Sequence, residues 1–132
     1  MQLLATKGNE GQPNNTGLDW ISGEVNKIDV DQKFKIPHMG WNSLSFKKSH
    51  PLFEHIHKDD HFYFVHSYEF KAFSDNEVIA TTEHSKEIVA AIAKDNIVGL
   101  QFHPEKSQLQ GLKIIKNFIA VSYTHLTLPT NR

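Results

Sequence analysis

The sequence predicts a fold of several short strands and one long amphipathic helix, with an antiparallel meander among the strands. Three observations carry this expectation. Short runs of apolar, β-branched and aromatic residues recur along the chain, separated by polar, turn-forming stretches. One of them, His61-Phe62-Tyr63-Phe64-Val65-His66-Ser67-Tyr68, has the composition of a strand buried on both faces. Near the other end Leu109, Leu112, Ile115, Phe118 and Ile119 fall at helical spacing with polar residues between them.

Taken in order, residues 1–8 read as the end of a helix, closed by Gly8. A helix that opens with neither cap nor preceding strand is expected where a chain has been cut from a longer one. Residues 9–16, polar and carrying Gly11 and Pro13, read as a surface loop, and residues 23–30 (GEVNKIDV) as a strand. Pro37 and Gly40 imply irregular backbone over residues 36–42 (IPHMGWN). Residues 49–53 predict a short helix with Ser49 or His50 at its cap and Pro51 in its first turn. The apolar runs 78–82 and 88–93 predict the meander, and 97–102 a further strand ended by His103-Pro104. The helix over 107–119 is expected to lay its apolar stripe on a sheet. Beyond it Val121-Ser122-Tyr123-Thr124-His125-Leu126-Thr127-Leu128-Pro129-Thr130 is Thr-rich and carries no charge. It resembles a translated sequencing adapter, so 1–119 is expected to be domain and 120–132 a non-native tail.

The composition is that of an ordinary globular chain: 132 residues, 39% hydrophobic and 22% charged. A net charge of -1 with interspersed signs argues against a nucleic-acid or membrane-surface partner. No apolar run is long enough to span a bilayer, and no signal-peptide pattern opens the chain, so a cytoplasmic protein is expected. Nine histidines invite a metal reading. His61 and His66 would face opposite sides of a strand, however, and His55 and His57 sit among Lys58, Asp59 and Asp60, so no metal site is expected. With no cysteine, disulfides, thiolate metal sites and a cysteine nucleophile within these residues are excluded.

The sharpest chemical signal is Gln101-Phe102-His103-Pro104-Glu105-Lys106-Ser107. A histidine at the end of a buried strand is held rigidly while its ring faces a cleft. Glu105 can turn back to bond that ring, fixing its tautomer and stabilising the imidazolium. Taken alone, the His-x-Glu pattern is weak and reads first as a surface histidine in a turn. Its context resembles the Phe-His-Pro-Glu motif of class I glutamine amidotransferases, whose His and Glu complete a triad with cysteine. Pro37-His38-Met39-Gly40-Trp41-Asn42 and Tyr63-Phe64-Val65-His66-Ser67-Tyr68 extend the match. In that order they resemble one branch, the glutaminase subunits of imidazole glycerol phosphate synthases, over nearly all of residues 1–119.

The resemblance implies an α/β fold, the later portion of a doubly wound, mostly parallel sheet with an antiparallel meander. It implies glutamine as substrate, no cofactor, and a heterodimer with the cyclase subunit, which takes the ammonia for histidine biosynthesis. His103 and Glu105 are the implied catalytic pair, with the nucleophilic cysteine expected just before Met1. Gln2, Glu10 and the segment His66-Ser67-Tyr68 are the implied contacts to glutamine, and Trp41, Tyr63 and Lys106 the implied cyclase interface. A fragment of this kind is expected to be inactive alone and to expose strand edges and apolar faces. Two other readings stand beside it. One is another branch of the class, such as those serving anthranilate or carbamoyl phosphate synthesis, which would not carry residues 37–42 in this form. The other is a non-catalytic binding module, a pseudo-amidotransferase without its cysteine.

Overall fold

A computed structural model describes residues 1–11, 15–29 and 36–127, with side chains through Val121. Pro13, Val30 and the end of the tail from Leu128 therefore lie outside the described residues, as do the tail's side chains from Ser122. Ten strands and one α-helix are present among the described residues. The strands are β1 (Lys7–Gly8), β2 (Asn15–Thr16), β3 (Gly23–Lys27), β4 (His38–Ser43), β5 (Ser45–Phe46), β6 (His61–His66), β7 (Tyr68–Ala72), β8 (Val78–His84), β9 (Lys86–Lys94) and β10 (Ile97–Leu100). The helix, α1, spans Gln108–Thr127.

They form two four-stranded sheets, ordered β2-β1-β3-β7 and β10-β9-β8-β5, and a two-stranded ribbon of β4 with β6. The mixed α/β class is the one expected. Among the described residues parallel pairing is confined to β1 with β3, joined by a connection of the length a parallel crossover needs. The anticipated meander is β8-β9-β10, with Ser85 and Asp95 turning the chain at positive φ. The expected strands over 23–30, 61–68 and 97–102 appear as β3, β6 running into β7, and β10. The short helix is also where it was expected, a 3-10 turn over Pro51–Phe53. His50 caps it, its Nδ1 accepting the Leu52 N–H at 3.1 Å.

Three expectations need correction. Residues 1–8 hold no α-helix end: a single 3-10 turn, Gln2–Leu4, passes directly into β1. Gly8 is therefore a strand residue rather than a cap, lying close over Val25 in β3. Residues 38–43 are not irregular but extended, because His38 to Ser43 find consecutive partners from His66 to His61 in β6. Only Gly40, at φ +124°, departs from strand geometry.

The third correction concerns α1, which runs eight residues past the predicted end at 119. Its predicted stripe does not lie on a sheet. Leu109, Leu112, Ile115, Phe118 and Ile119 are 37–63% exposed, whereas Gly111 and Ile114 are buried. Two contacts set this rotation. A Cβ on Gly111 would lie 1.8 Å from the Pro104 carbonyl oxygen, so only glycine permits the close approach there. Farther along, Asn117 Nδ2 donates to the carbonyls of Leu52 and Glu54 at 2.8 and 2.7 Å.

The larger apolar cluster joins Leu44, Leu52, Phe53, Phe62, Phe64, Ile79, Phe102 and Ile114. A smaller one joins Ala5, Ile21, Val25, Phe70 and Ile92. No helix among the described residues is long and apolar enough to cross a membrane.

Candidate active site

The site is built where β10 ends. Gln101 prolongs the ladder through its N–H to the Ala90 carbonyl at 2.8 Å. Phe102 is buried, its ring 4.6 Å from that of Phe62 and 5.8 Å from that of Phe64. Anchored by that ring, His103 emerges half-exposed, its N–H bonded to the Tyr63 carbonyl at 2.9 Å. Pro104 then opens a 3-10 turn, Pro104–Lys106, which brings Glu105 back over the imidazole.

His103 Nδ1 donates to Glu105 Oε1 at 2.8 Å. A carboxylate on Nδ1 leaves Nε2 as the nitrogen that can exchange a proton with a reactant. For Glu105, partial burial opposes ionisation. Its own backbone N–H, the His103 bond and the charges of His103 and Lys106 prevail, holding the carboxyl below its ordinary value. Ser107, buried behind the pair, accepts the Tyr63 N–H at 2.9 Å and donates to the His103 carbonyl at 2.7 Å. The turn bearing the pair is thereby stapled to β6.

The residues linked by resemblance to substrate divide into two places. Gln2 Nε2 donates to the Tyr68 carbonyl at 3.1 Å and to Gln101 Oε1 at 2.7 Å, tying the first turn to the end of β10 and to the bend between β6 and β7. Gln2 Oε1 is buried without a hydrogen-bond partner among the described residues. Gln2 and the exposed Glu10 line one open cavity of about 250 Å³ with Lys7, Gly8, Asn15 and Gly17. His66, Ser67 and Tyr68 form the β6–β7 bend, and Ser67 accepts the Ile28 N–H through its carbonyl.

Trp41 and Tyr63 are directly paired across β4 and β6, their rings 5.8 Å apart and edge-on. Trp41 is half exposed, and Lys106 is exposed on the stapled turn. Among the described residues no three His, Cys, Asp or Glu side chains converge as a metal site requires.

Sequence reasoning gave no role to Gln101, Ser107, His38 or Asn42. All four lay inside the motifs that carried the resemblance. His38 Nδ1 lies 2.9 Å from His66 Nε2, and its ring stacks between Phe64 and His84 at 4.8 and 4.3 Å. The usable signal was period two: His38 and Gly40 alternate faces with Met39 and Trp41, so His38 points inward from β4.

Residues 1–121 match the family model described as glutamine amidotransferase class-I. Over 120 residues the chain is 49% identical to the imidazole glycerol phosphate synthase subunit HisH of Pelagibacter ubique, covering 90% of this chain and 57% of that protein. To the subunit of the same name from Ruegeria pomeroyi it is 45% identical, covering 90% and 56%. To that of Brucella abortus it is 46% identical over 123 residues, again covering 90% and 56%. The chain thus spans little more than half the length of the curated relatives it matches. Among solved structures, a "putative gmp synthase subunit a protein" from Thermoplasma acidophilum shares the fold. The TM-score is 0.60 at 23% identity, over 80% of this chain and 52% of that one.

Proposed function

Because the chain belongs to the class I glutamine amidotransferases, we propose that it carries the acid–base half of a glutaminase site. The ammonia released would serve the cyclase subunit of imidazole glycerol phosphate synthase, in histidine biosynthesis. The single observation that carries this reading is the 2.8 Å bond from His103 Nδ1 to Glu105 Oε1 at the end of a buried strand. The identity to HisH subunits directs it to this branch of the family.

In the proposed reaction a cysteine thiol, which this sequence does not contain, loses its proton to His103 Nε2. The thiolate attacks the side-chain amide carbon of glutamine. His103 returns the proton to the leaving nitrogen, ammonia departs, and a glutamyl thioester remains. Water, deprotonated by the same nitrogen, then cleaves the thioester to glutamate and restores the thiol. Glu105 holds the ring with Nε2 toward the reactants and stabilises the imidazolium formed at each transfer.

Glu10 supplies a carboxylate suited to the α-ammonium of glutamine, and Gln2 shares its cavity. The His66–Ser67–Tyr68 bend presents backbone to the α-carboxylate. Trp41, Tyr63 and Lys106 form the face toward the cyclase. An exposed tryptophan set edge-on to a half-buried tyrosine, beside a flexible cation, has the make-up of an interface anchor.

The test joins this chain to the remainder of the Pelagibacter ubique subunit and assays ammonia release from glutamine with a cyclase subunit present. Activity that falls by roughly 10³-fold or more in His103→Asn is the expected result. A folded, cyclase-bound chimera without glutaminase activity overturns the proposal.

A further inference from the structure

The bend between β6 and β7 is held from beneath by a chain of side chains whose hydrogen bonds run in one direction only. The Tyr68 carbonyl oxygen can only accept, and it takes Nδ1–H of His66 at 2.9 Å as well as Nε2–H of Gln2 at 3.1 Å. With its proton on Nδ1, His66 offers Nε2 as a lone pair. His38 Nδ1 must then be the donor across the 2.9 Å contact. That in turn leaves His38 Nε2 as an acceptor, and Asn42 Nδ2 reaches it at 3.3 Å. The second Nδ2 proton of Asn42 goes to the Glu83 carbonyl on β8, at 2.7 Å. Every ring nitrogen of the two buried imidazoles is used, and each tautomer follows from the one before.

Resting on the glutaminase reading above, we propose that Asn42, His38 and His66 form a tautomer-locked relay that positions the His66–Ser67–Tyr68 bend for the α-carboxylate of glutamine. They are positioning residues: their side chains bond to one another and to the Tyr68 carbonyl, and act on the substrate through the backbone of the bend.

Packing alone does not call for this arrangement. His38 sits at an inward position directly paired with His66, between the rings of Phe64 and His84, where phenylalanine would fill the same slot without a polar atom to satisfy. What an imidazole adds is two directional bonds in series, from the β8 backbone through β4 to the carbonyl that ends the bend. Gln2 grips that same carbonyl and also Gln101 Oε1, two residues before His103. The bend is thus referred to the strand that delivers the catalytic imidazole.

The relay holds only while both rings are neutral. A proton added at His66 Nε2 would meet His38 Nδ1–H, and moving that proton on to His38 Nε2 would set it against the Asn42 amide: donor against donor at either end. Burial, then His66 and His84, push His38 down to about 4, and burial likewise lowers His66 despite its bond to Tyr68. The other charged or titratable groups acting on His66 are His84, Glu69 and His103, of which Glu69 is ion-paired with Lys86 at 2.7 Å.

Two measurements test the inference. In the chimera, His38→Phe keeps the stack and removes both bonds. The KM for glutamine is expected to rise about tenfold while kcat stays within about threefold. His38→Gln can donate to His66 and accept from Asn42, so most of the loss should return. An unchanged KM in His38→Phe, or equal losses in the two variants, overturns the inference. Imidazole ¹⁵N shifts of the unsubstituted chimera give a readout needing no variant and no substrate. They should show both rings neutral and protonated at Nδ1 near pH 7, and an Nε2–H tautomer or a charged ring at either position overturns the relay. Absent glutaminase activity removes the functional reading and the substrate role with it, whereas the tautomers report on the relay alone.

Discussion

Ser107 Oγ accepts the backbone N–H of Tyr63 at 2.9 Å. Its own proton goes to the His103 carbonyl at 2.7 Å, and His103 N–H returns to the Tyr63 carbonyl, so one hydroxyl closes a ring of bonds around the turn that bears His103 and Glu105. Ser107→Ala would leave the part-buried Tyr63 N–H without its partner and the His103 carbonyl with the Lys106 N–H alone, at 3.0 Å. A loss of about 1–2 kcal/mol in urea unfolding of the chimera is expected, because a polar group left unmet costs more than a hydrogen bond contributes. Loss below about 0.5 kcal/mol, the range of an ordinary surface change, would mean the staple carries little of the stability.

Glu105→Gln keeps the size of the side chain and removes the charge that orients His103 and stabilises its imidazolium. In the chimera kcat for glutamine hydrolysis should fall roughly 10²-fold or more with KM nearly unchanged, the signature of an interaction made in the transition state. Steady-state kinetics decide this, and a wild-type kcat would relegate the 2.8 Å bond to a surface contact.

Stability should decline as pH falls through the range set by His38. Only 4% exposed, it is held at about 4 in the fold, by burial first and then by His66 and His84, against an ordinary 6.5. The unfolded chain therefore takes up this proton first. Its contribution is fully present above 6.5 and is lost as pH falls toward about 4. Integrated over that interval the loss is on the order of 3 kcal/mol. Urea midpoints measured at several pH values should follow this course, with a shallower slope in His38→Gln. An equal slope in the variant would place the pH dependence elsewhere.

The exposed stripe of α1 should make the chain by itself sticky. Leu109, Leu112, Ile115 and Ile119 lie along one face, all exposed, and contiguous apolar surface of this kind drives association. The chain alone is expected to bind an apolar dye such as ANS and to self-associate in analytical ultracentrifugation. Leu112→Lys with Ile115→Lys should reduce both, while shifting stability by less than about 0.5 kcal/mol per site. Undiminished association in the double variant would locate the adhesive surface elsewhere.

Much of the fold was legible because its signals are local. β3, β6, β8, β9 and β10 follow from β-branched and aromatic runs, and the cap at His50 follows from Ser-His-Pro. The His103–Glu105 bond was legible for the same reason: the two lie only two residues apart across a proline turn. Residues 38–42 were misread because proline and glycine are local punctuation, whereas a strand needs only a partner. β6 provides one at every position from His38 to Ser43.

By itself, the sequence determined the family, the pairing of His103 with Glu105 and the approximate place of most strands. Each depends on residues a few positions apart, or on motifs long enough to be distinctive. Tertiary structure alone decided that Gln2 reaches Tyr68 and Gln101, that His38 lies against His66, and which face α1 turns inward. The first two are contacts between residues 28 to 99 positions apart, which no local periodicity encodes. The third overrode a clear periodicity, because Gly111 against Pro104 and Asn117 against Leu52 and Glu54 fix the helix more tightly than its apolar stripe directs it.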